Sequence, residues 1–267
     1  MPDFPSDVEF NDRGHGPALL FVPGSFGTGA GWKAVIDGLG AGYRVVTTSL
    51  LGYGGTRERR PPGNATMQQQ TEVLDAILAR IGAPVHVIAH SFGGLAALAQ
   101  ALHGHRKVQS LTLVEANPLG ILKTAGDSDL YAMFGAMTRT YFAAFDAGQP
   151  DAARHVIDFY GGAGTYDAFP PKVRDYIVAT TASNIRDWSS GTAFEPPLSD
   201  YAKIPAPTLV MRGGDGHPAM RRIAELLAAT IPGAHMETIR GGSHFLPASH
   251  PADVVQLIKG HVAASAG

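Results

Sequence analysis

Short apolar runs and longer stretches of helical periodicity alternate along most of the chain. The runs "ALLFV" from Ala18, "YRVVTTS" from Tyr43, "VHVIAH" from Val85, "VQSLTLVEA" from Val108, "PTLVMRG" from Pro207 and "HMETIR" from His235 have strand length and strand composition. Between them, "GWKAVIDGLG" from Gly31, "LAALAQALH" from Leu95, "MRRIAELLAA" from Met220 and "ADVVQLIKGHV" from Ala252 read as helices. Thr66 with Gln69 three residues later forms a capping box, which predicts a further helix from there to about Ile81. Apolar strands joined through helices pair in parallel and bury both faces, so the pattern predicts an α/β fold with a mostly parallel central sheet flanked by helices.

The alternation breaks once. From Asn117 to about Pro205 the chain carries aromatic helical pieces interrupted by "GGAG", "FPP" and "EPP", and then the strand and helix pattern resumes for two more strands. The expected organisation is a core made of residues 1–116 and 206–267, with a helical cap, residues 117–205, inserted before the last two strands.

Composition narrows the function classes. A chain of 267 residues with 45% hydrophobic content supports one large domain with a real core. Its formal charge of −2 is near neutral. The one basic cluster, Arg57, Arg59 and Arg60 around Glu58, stands beside two prolines without interleaved aromatics, which reads as a solvated loop and not a nucleic-acid surface. Zero Cys excludes disulfides, thiolate nucleophiles and Cys-based metal sites together. The opening "MPDFPSDVEF" lacks a basic then apolar leader and no apolar run approaches membrane-spanning length, so the expectation is a cytoplasmic protein with no membrane partner.

Candidate chemistry begins at "VIAHSFGG", Val87 to Gly94, where a strand runs into a Ser and then directly into a helix. A Ser at such a corner is held in a strained backbone conformation with its hydroxyl at the carboxyl edge of the sheet, and small residues two before and two after let strand and helix approach. Ala89 and Gly93 take those positions, giving A-x-S-x-G in place of the usual G-x-S-x-G. The alternative is that Ser91 simply caps the helix, which Ser favours.

With this corner the chain resembles the α/β-hydrolase family over nearly its whole length. The resemblance is carried by the glycine loop after "ALLFV", "LLGYGGT", the "AHSFGG" elbow, the cap insertion, "PTLVMRGGDG" and "GGSHFLPASHP", in that order. It implies a Ser nucleophile at Ser91, a base that takes its proton, and an acid between them in chain order. Of the 11 His, His244 in "GGSHF" follows the last strand and matches the family's base, with His250 as the fallback. His86 and His90 stand four apart on a strand, roughly 13 Å, too far to share a metal.

Two acids compete for the third place. The family's usual acid counts from Gly213 to position 216, which is Gly216 here, and Asp215 is one residue early. In some members, notably certain haloalkane dehalogenases, the acid ends the strand after the nucleophile helix. That residue is Glu115, the favoured candidate, although it could also cap the turn into Asn117 and Pro118 or pair with a cap Arg.

The family's oxyanion donors map to the backbone N–H groups of Phe92 and Ser25, the latter in "FVPGSFGTGAGW", where Pro23 stands in place of the His of many relatives. As a phosphate cradle this loop fails, because its spacing gives neither G-x-G-x-x-G nor a P-loop. Most cap aromatics form the cap's own core. The rest, Trp188 among them, together with Phe26, Phe92 and Leu246, predict a mainly apolar substrate pocket.

The resulting expectation is a serine hydrolase, free of cofactor and metal, acting on a small or medium hydrophobic ester, thioester or related acyl small molecule. The alternatives are a carbon–carbon bond hydrolase or a perhydrolase on the same residues, or a hydrolase-fold ligand receptor with little turnover.

Overall fold

A computed structural model describes residues 4–265. Strands β1 (Asn11–Gly14), β2 (Ala18–Val22) and β3 (Arg44–Thr47) open the chain, with helix α1 (Lys33–Leu39) between β2 and β3. Helix α2 (Met67–Ile81), β4 (Val85–His90), α3 (Phe92–His103) and β5 (Ser110–Val114) follow. Six helices then succeed one another: α4 (Gly120–Thr124), α5 (Ser128–Asp146), α6 (Arg154–Gly161), α7 (Thr165–Ala168), α8 (Pro171–Thr192) and α9 (Leu198–Tyr201). The chain closes with β6 (Thr208–Gly213), α10 (Pro218–Thr230), β7 (His235–Ile239), α11 (Leu246–Ser249) and α12 (Pro251–Ala264).

The strands form one sheet in the order β1-β3-β2-β4-β5-β6-β7, antiparallel at the β1–β3 edge and parallel elsewhere. Strands β2, β4 and β5 are buried along nearly their whole length because helices cover both faces. One apolar layer gathers Leu20, Val87, Leu111 and the buried faces of α2, α3 and α10, and the other gathers Phe21, Trp32, Ile88, Val254 and Ile258 under α1 and α12. Helix α2 starts where its capping box predicts: the Gln69 side chain accepts from the Thr66 N–H at 2.9 Å, and the Thr66 side chain accepts from the Gln69 N–H.

One strand had no apolar signal. All four residues of β1, "NDRG", are exposed, and edge pairing to β3 with the Asp12–Arg44 ion pair at 2.7 Å holds it in place. The segment between β5 and β6 is entirely helix and loop. It packs on itself through Phe134, whose ring lies within 6.3 Å of those of Phe159, Tyr160 and Trp188. The parallel strands all end on one edge, where open α/β sheets form their sites, and this helical segment lies over that edge.

Candidate active site

Ser91 stands between β4 and α3 with φ 52° and ψ −122°, a conformation costing about 1–3 kcal/mol for a residue other than Gly. Bonds on either side hold it there: Ser91 N–H donates to the Val114 carbonyl at 2.9 Å and Leu95 N–H to the Ser91 carbonyl at 3.1 Å. The close approach that Gly93 allows is real, since a Cβ at that position would collide with the Pro23 carbonyl oxygen. Ser91 Oγ makes no cap bond to its helix. It lies instead 2.8 Å from His244 Nε2.

His244 Nδ1 faces Glu115 Oε2 at 3.2 Å, and Glu115 Oε1 accepts the Gly213 N–H at 2.7 Å. Ser91, His244 and Glu115 are all buried. A carboxylate only accepts, so Nδ1 carries the imidazole proton and Nε2 is left free to accept from the Ser91 hydroxyl. Glu115 neither caps its turn nor meets a cap Arg. It takes a positive φ of 49°, and that backbone bend turns its side chain across the end of β6.

Asp215 is not brought to this group. It is exposed, and its N–H donates to the Gly242 carbonyl at 2.9 Å. A Cβ built on Gly216 would lie 3.5 Å from Glu115 Oε1. The carboxylate from β5 thus occupies the space that an acid at position 216 would reach, and Gly216 leaves it free. The fallback His250 is likewise distant in role, with its Nδ1 on Ser249 Oγ at 2.8 Å.

A cavity opens over Ser91, lined by Phe26, Phe92, Trp188, Ser25, His244 and further cap residues. Leu246 does not reach it. It opens α11, is fully buried among Trp32, Val254 and Ile258, and presses against Gly242, where a Cβ would meet its Cδ2. Phe245 lines the cavity in its place.

The basic cluster divides. Arg57 and Arg59 are exposed, as a solvated loop requires, but Arg60 is buried, and this corrects the reading of the cluster as a whole. Its guanidinium meets Asp187 Oδ1 at 2.6 Å, both oxygens of Glu58 at 2.8 and 2.7 Å, and the Leu51 carbonyl at 2.9 Å. Asp187 Oδ2 accepts from Ser25 Oγ and Tyr53 Oη, each at 2.6 Å. Loss of hydration by itself lowers the Arg60 pKa, but the bonds to Glu58 and Asp187 outweigh it and hold the group above its ordinary value. Burial pushes the Asp187 carboxyl up, with Arg60, Ser25 and Tyr53 pulling against it. The network ties α8 to the loop after β2 and so fixes Ser25. No motif in the sequence links residues so far apart.

Removing Asp187 takes one of two carboxylate partners from the buried Arg60 guanidinium and the acceptor from the Ser25 and Tyr53 hydroxyls. Asp187→Ala is expected to destabilise the fold by about 3–5 kcal/mol, measured by urea unfolding, whereas Arg59→Ala stays within about 0.5 kcal/mol.

Two further side chains support His244 from above and behind. The Tyr160 ring stacks on the imidazole at 4.1 Å and 13°, and Asn117 Nδ2 donates to Tyr160 Oη at 3.0 Å. His90, at the end of β4, donates from Nε2 to the His244 carbonyl at 2.8 Å. Burial, reinforced by the neighbouring His244, pushes the His90 pKa down to about 3. Burial also lowers His86, His217 and His261. Below pH 6.5 the unfolded chain therefore takes up protons that the native protein refuses, so stability falls as pH drops from about 6.5 towards 3. The thermal midpoint is expected to be lower at pH 5 than at pH 7.5, with His90→Gln reducing the difference.

Among the described residues no cluster of His, Asp and Glu could hold a metal, and no helix is long and apolar enough to cross a membrane.

This corner, pair and sheet order belong to one known family. The Alpha/beta hydrolase family matches residues 19–257, and the chain belongs to it. Two relatives are pimeloyl-[acyl-carrier protein] methyl ester esterases. The protein from Vibrio atlanticus is 32% identical over 105 residues, which span 39% of this chain and 38% of that one. The protein from Aromatoleum aromaticum is 27% identical over 236 residues, 85% of this chain and 91% of that one. Among solved structures, a thermophilic esterase from Thermogutta terrifontis superposes with a TM-score of 0.76 at 22% identity, over 97% of this chain and 94% of that one.

Proposed function

We propose that the protein is a serine hydrolase that cleaves ester or related acyl bonds through an acyl-enzyme on Ser91. The observation that carries this is the continuous chain from Ser91 Oγ through both nitrogens of His244 to Glu115, at 2.8 and 3.2 Å. The esterase relatives support the same bond class.

His244 Nε2 takes the Ser91 proton as Oγ attacks the carbonyl carbon, and Glu115 stabilises the imidazolium that forms. In this reading the N–H groups of Phe92 and Ser25 receive the developing oxyanion, and the bond from the Ser25 hydroxyl to Asp187 supports that role. His244 then returns the proton to the leaving oxygen, and a water deprotonated by the same nitrogen releases the acid. The helices from α4 to α9 act as a cap that keeps this exchange away from bulk water.

Turnover of a 4-nitrophenyl ester series from acetate to octanoate tests the reading. Hydrolysis is expected, and EDTA is expected to leave its rate unchanged. Absence of turnover on every member, or loss on chelation restored by a metal, overturns it.

A further inference from the structure

The cavity over Ser91 does not end at the catalytic residues. It has a volume of about 60 Å³, and a second, larger space of about 390 Å³ lies against it. Ser25, Phe26, His90, Ile157 and Phe245 line both, so the two spaces adjoin along these side chains as an inner and an outer lobe. The loop after β2, from Pro23 to Trp32, lines the outer lobe on one side, and Phe169, Val173 and Ile177 from the cap with Pro247 and Ala248 after His244 line the rest. Those five residues are apolar. Val173 is 40% exposed, which marks this lobe as the side open to solvent.

Acyl transfer orients the ester over Ser91. The carbonyl oxygen must face the Phe92 N–H, and the leaving oxygen must face His244 Nε2, which supplies its proton. On the α3 side of Ser91, Leu95, Leu119 and Trp188 line only the inner lobe. In the segment after His244, Phe245 lines both lobes and Pro247 and Ala248 line only the outer one. An apolar cavity of about 150 Å³ holds benzene, about 25 Å³ per carbon, so the inner lobe holds roughly two to three non-hydrogen atoms.

Resting on the serine-hydrolase reading, we propose that the two lobes divide the substrate at the scissile bond, with an acyl group of about acetyl size on the inner side and a larger apolar alcohol in the outer lobe. In the first step the Ser91 Oγ–acyl bond forms as the acyl–oxygen bond to the alcohol breaks, and the alcohol oxygen takes the proton from His244. The alcohol leaves through the outer lobe. Water then adds to the acyl-enzyme, its proton passing through His244 to Ser91 as the short acid is freed. The protein is thus matched to esters made by acylating apolar alcohols with short acids.

Heptyl acetate and methyl octanoate test this directly, because they are isomers that differ only in which side of the ester is long. The expected kcat/KM is at least about tenfold higher for heptyl acetate. In Val173→Trp, which fills the outer lobe from an exposed position, the ratio of kcat/KM for heptyl acetate to that for ethyl acetate is expected to fall about fivefold or more, mainly through KM. Equal or faster turnover of methyl octanoate, or a ratio unmoved by Val173→Trp, overturns the division. If 4-nitrophenyl acetate is hydrolysed but neither isomer is, the division falls and the hydrolase reading stands. If 4-nitrophenyl acetate is not hydrolysed either, both fall.

Discussion

Ser91→Ala is expected to lower kcat by about 10⁶-fold while leaving the fold intact, because the substitution removes the only oxygen that forms the covalent intermediate. The position is demanding in a second respect. Ser91 takes a φ of 52°, so the residue must tolerate strain, and its Cβ lies 2.9 Å from where a Cβ on Gly24 would stand, so position 24 must stay Gly. Ala meets the steric condition and lacks the chemistry. The variant therefore separates the nucleophile from the rest of the cavity, and ligand binding measured on it by calorimetry is expected to persist.

Glu115→Gln is expected to cost about 10⁴-fold in kcat, with Asp215→Asn within about twofold of wild type. The reason lies in the partners on either side of the carboxylate. Gly213 N–H requires an acceptor at Oε1, so a Gln there keeps its oxygen on Gly213 and turns its NH₂ towards His244 Nδ1. Nδ1 must then accept, the imidazole proton moves to Nε2, and Nε2 can no longer take the proton of Ser91. The shape of the side chain is preserved and the tautomer is wrong. A steady-state comparison of the two variants checks the assignment, since the two acids compete for one role.

Most of the fold was legible because its central strands β2, β4, β5 and β6 are buried on both faces and read as largely apolar runs, while the mostly exposed β7 was legible from its place between two helical patterns. β1 was not, because an exposed antiparallel edge needs no apolar residue and "NDRG" has none. At the site, Ser91 and His244 were legible from local pattern: a strand, a corner of small residues and a helix for one, a glycine loop after the last strand for the other. Glu115 was legible only as one of two acids. Deciding between them took three facts about space: Asp215 turned outward, Gly216 left empty, and Gly213 donating to the rival carboxylate.

The Arg60–Asp187–Ser25 network shows the limit of local reading more sharply. Arg60 lies in a polar, proline-bounded loop, and everything near it in sequence argues for solvent. Its burial is decided by a carboxylate on α8, far along the chain. Leu246 fails in the opposite way. An apolar residue two positions after the candidate base looks like pocket lining, but α11 begins there and turns Leu246 into the core while Phe245 faces the cavity. Tyr160 carried one legible signal, its place in an aromatic-rich cap, and nothing distinguished it from the other cap aromatics until its ring was found on the imidazole of His244.

The central claim is that Ser91 is an activated nucleophile. The most direct measurement is the intact mass of wild type, Ser91→Ala and His244→Ala after incubation with a fluorophosphonate. The account predicts one adduct on the wild type, none on Ser91→Ala, and strongly slowed labelling of His244→Ala. An adduct on Ser91→Ala, or an unlabelled wild type, would contradict it.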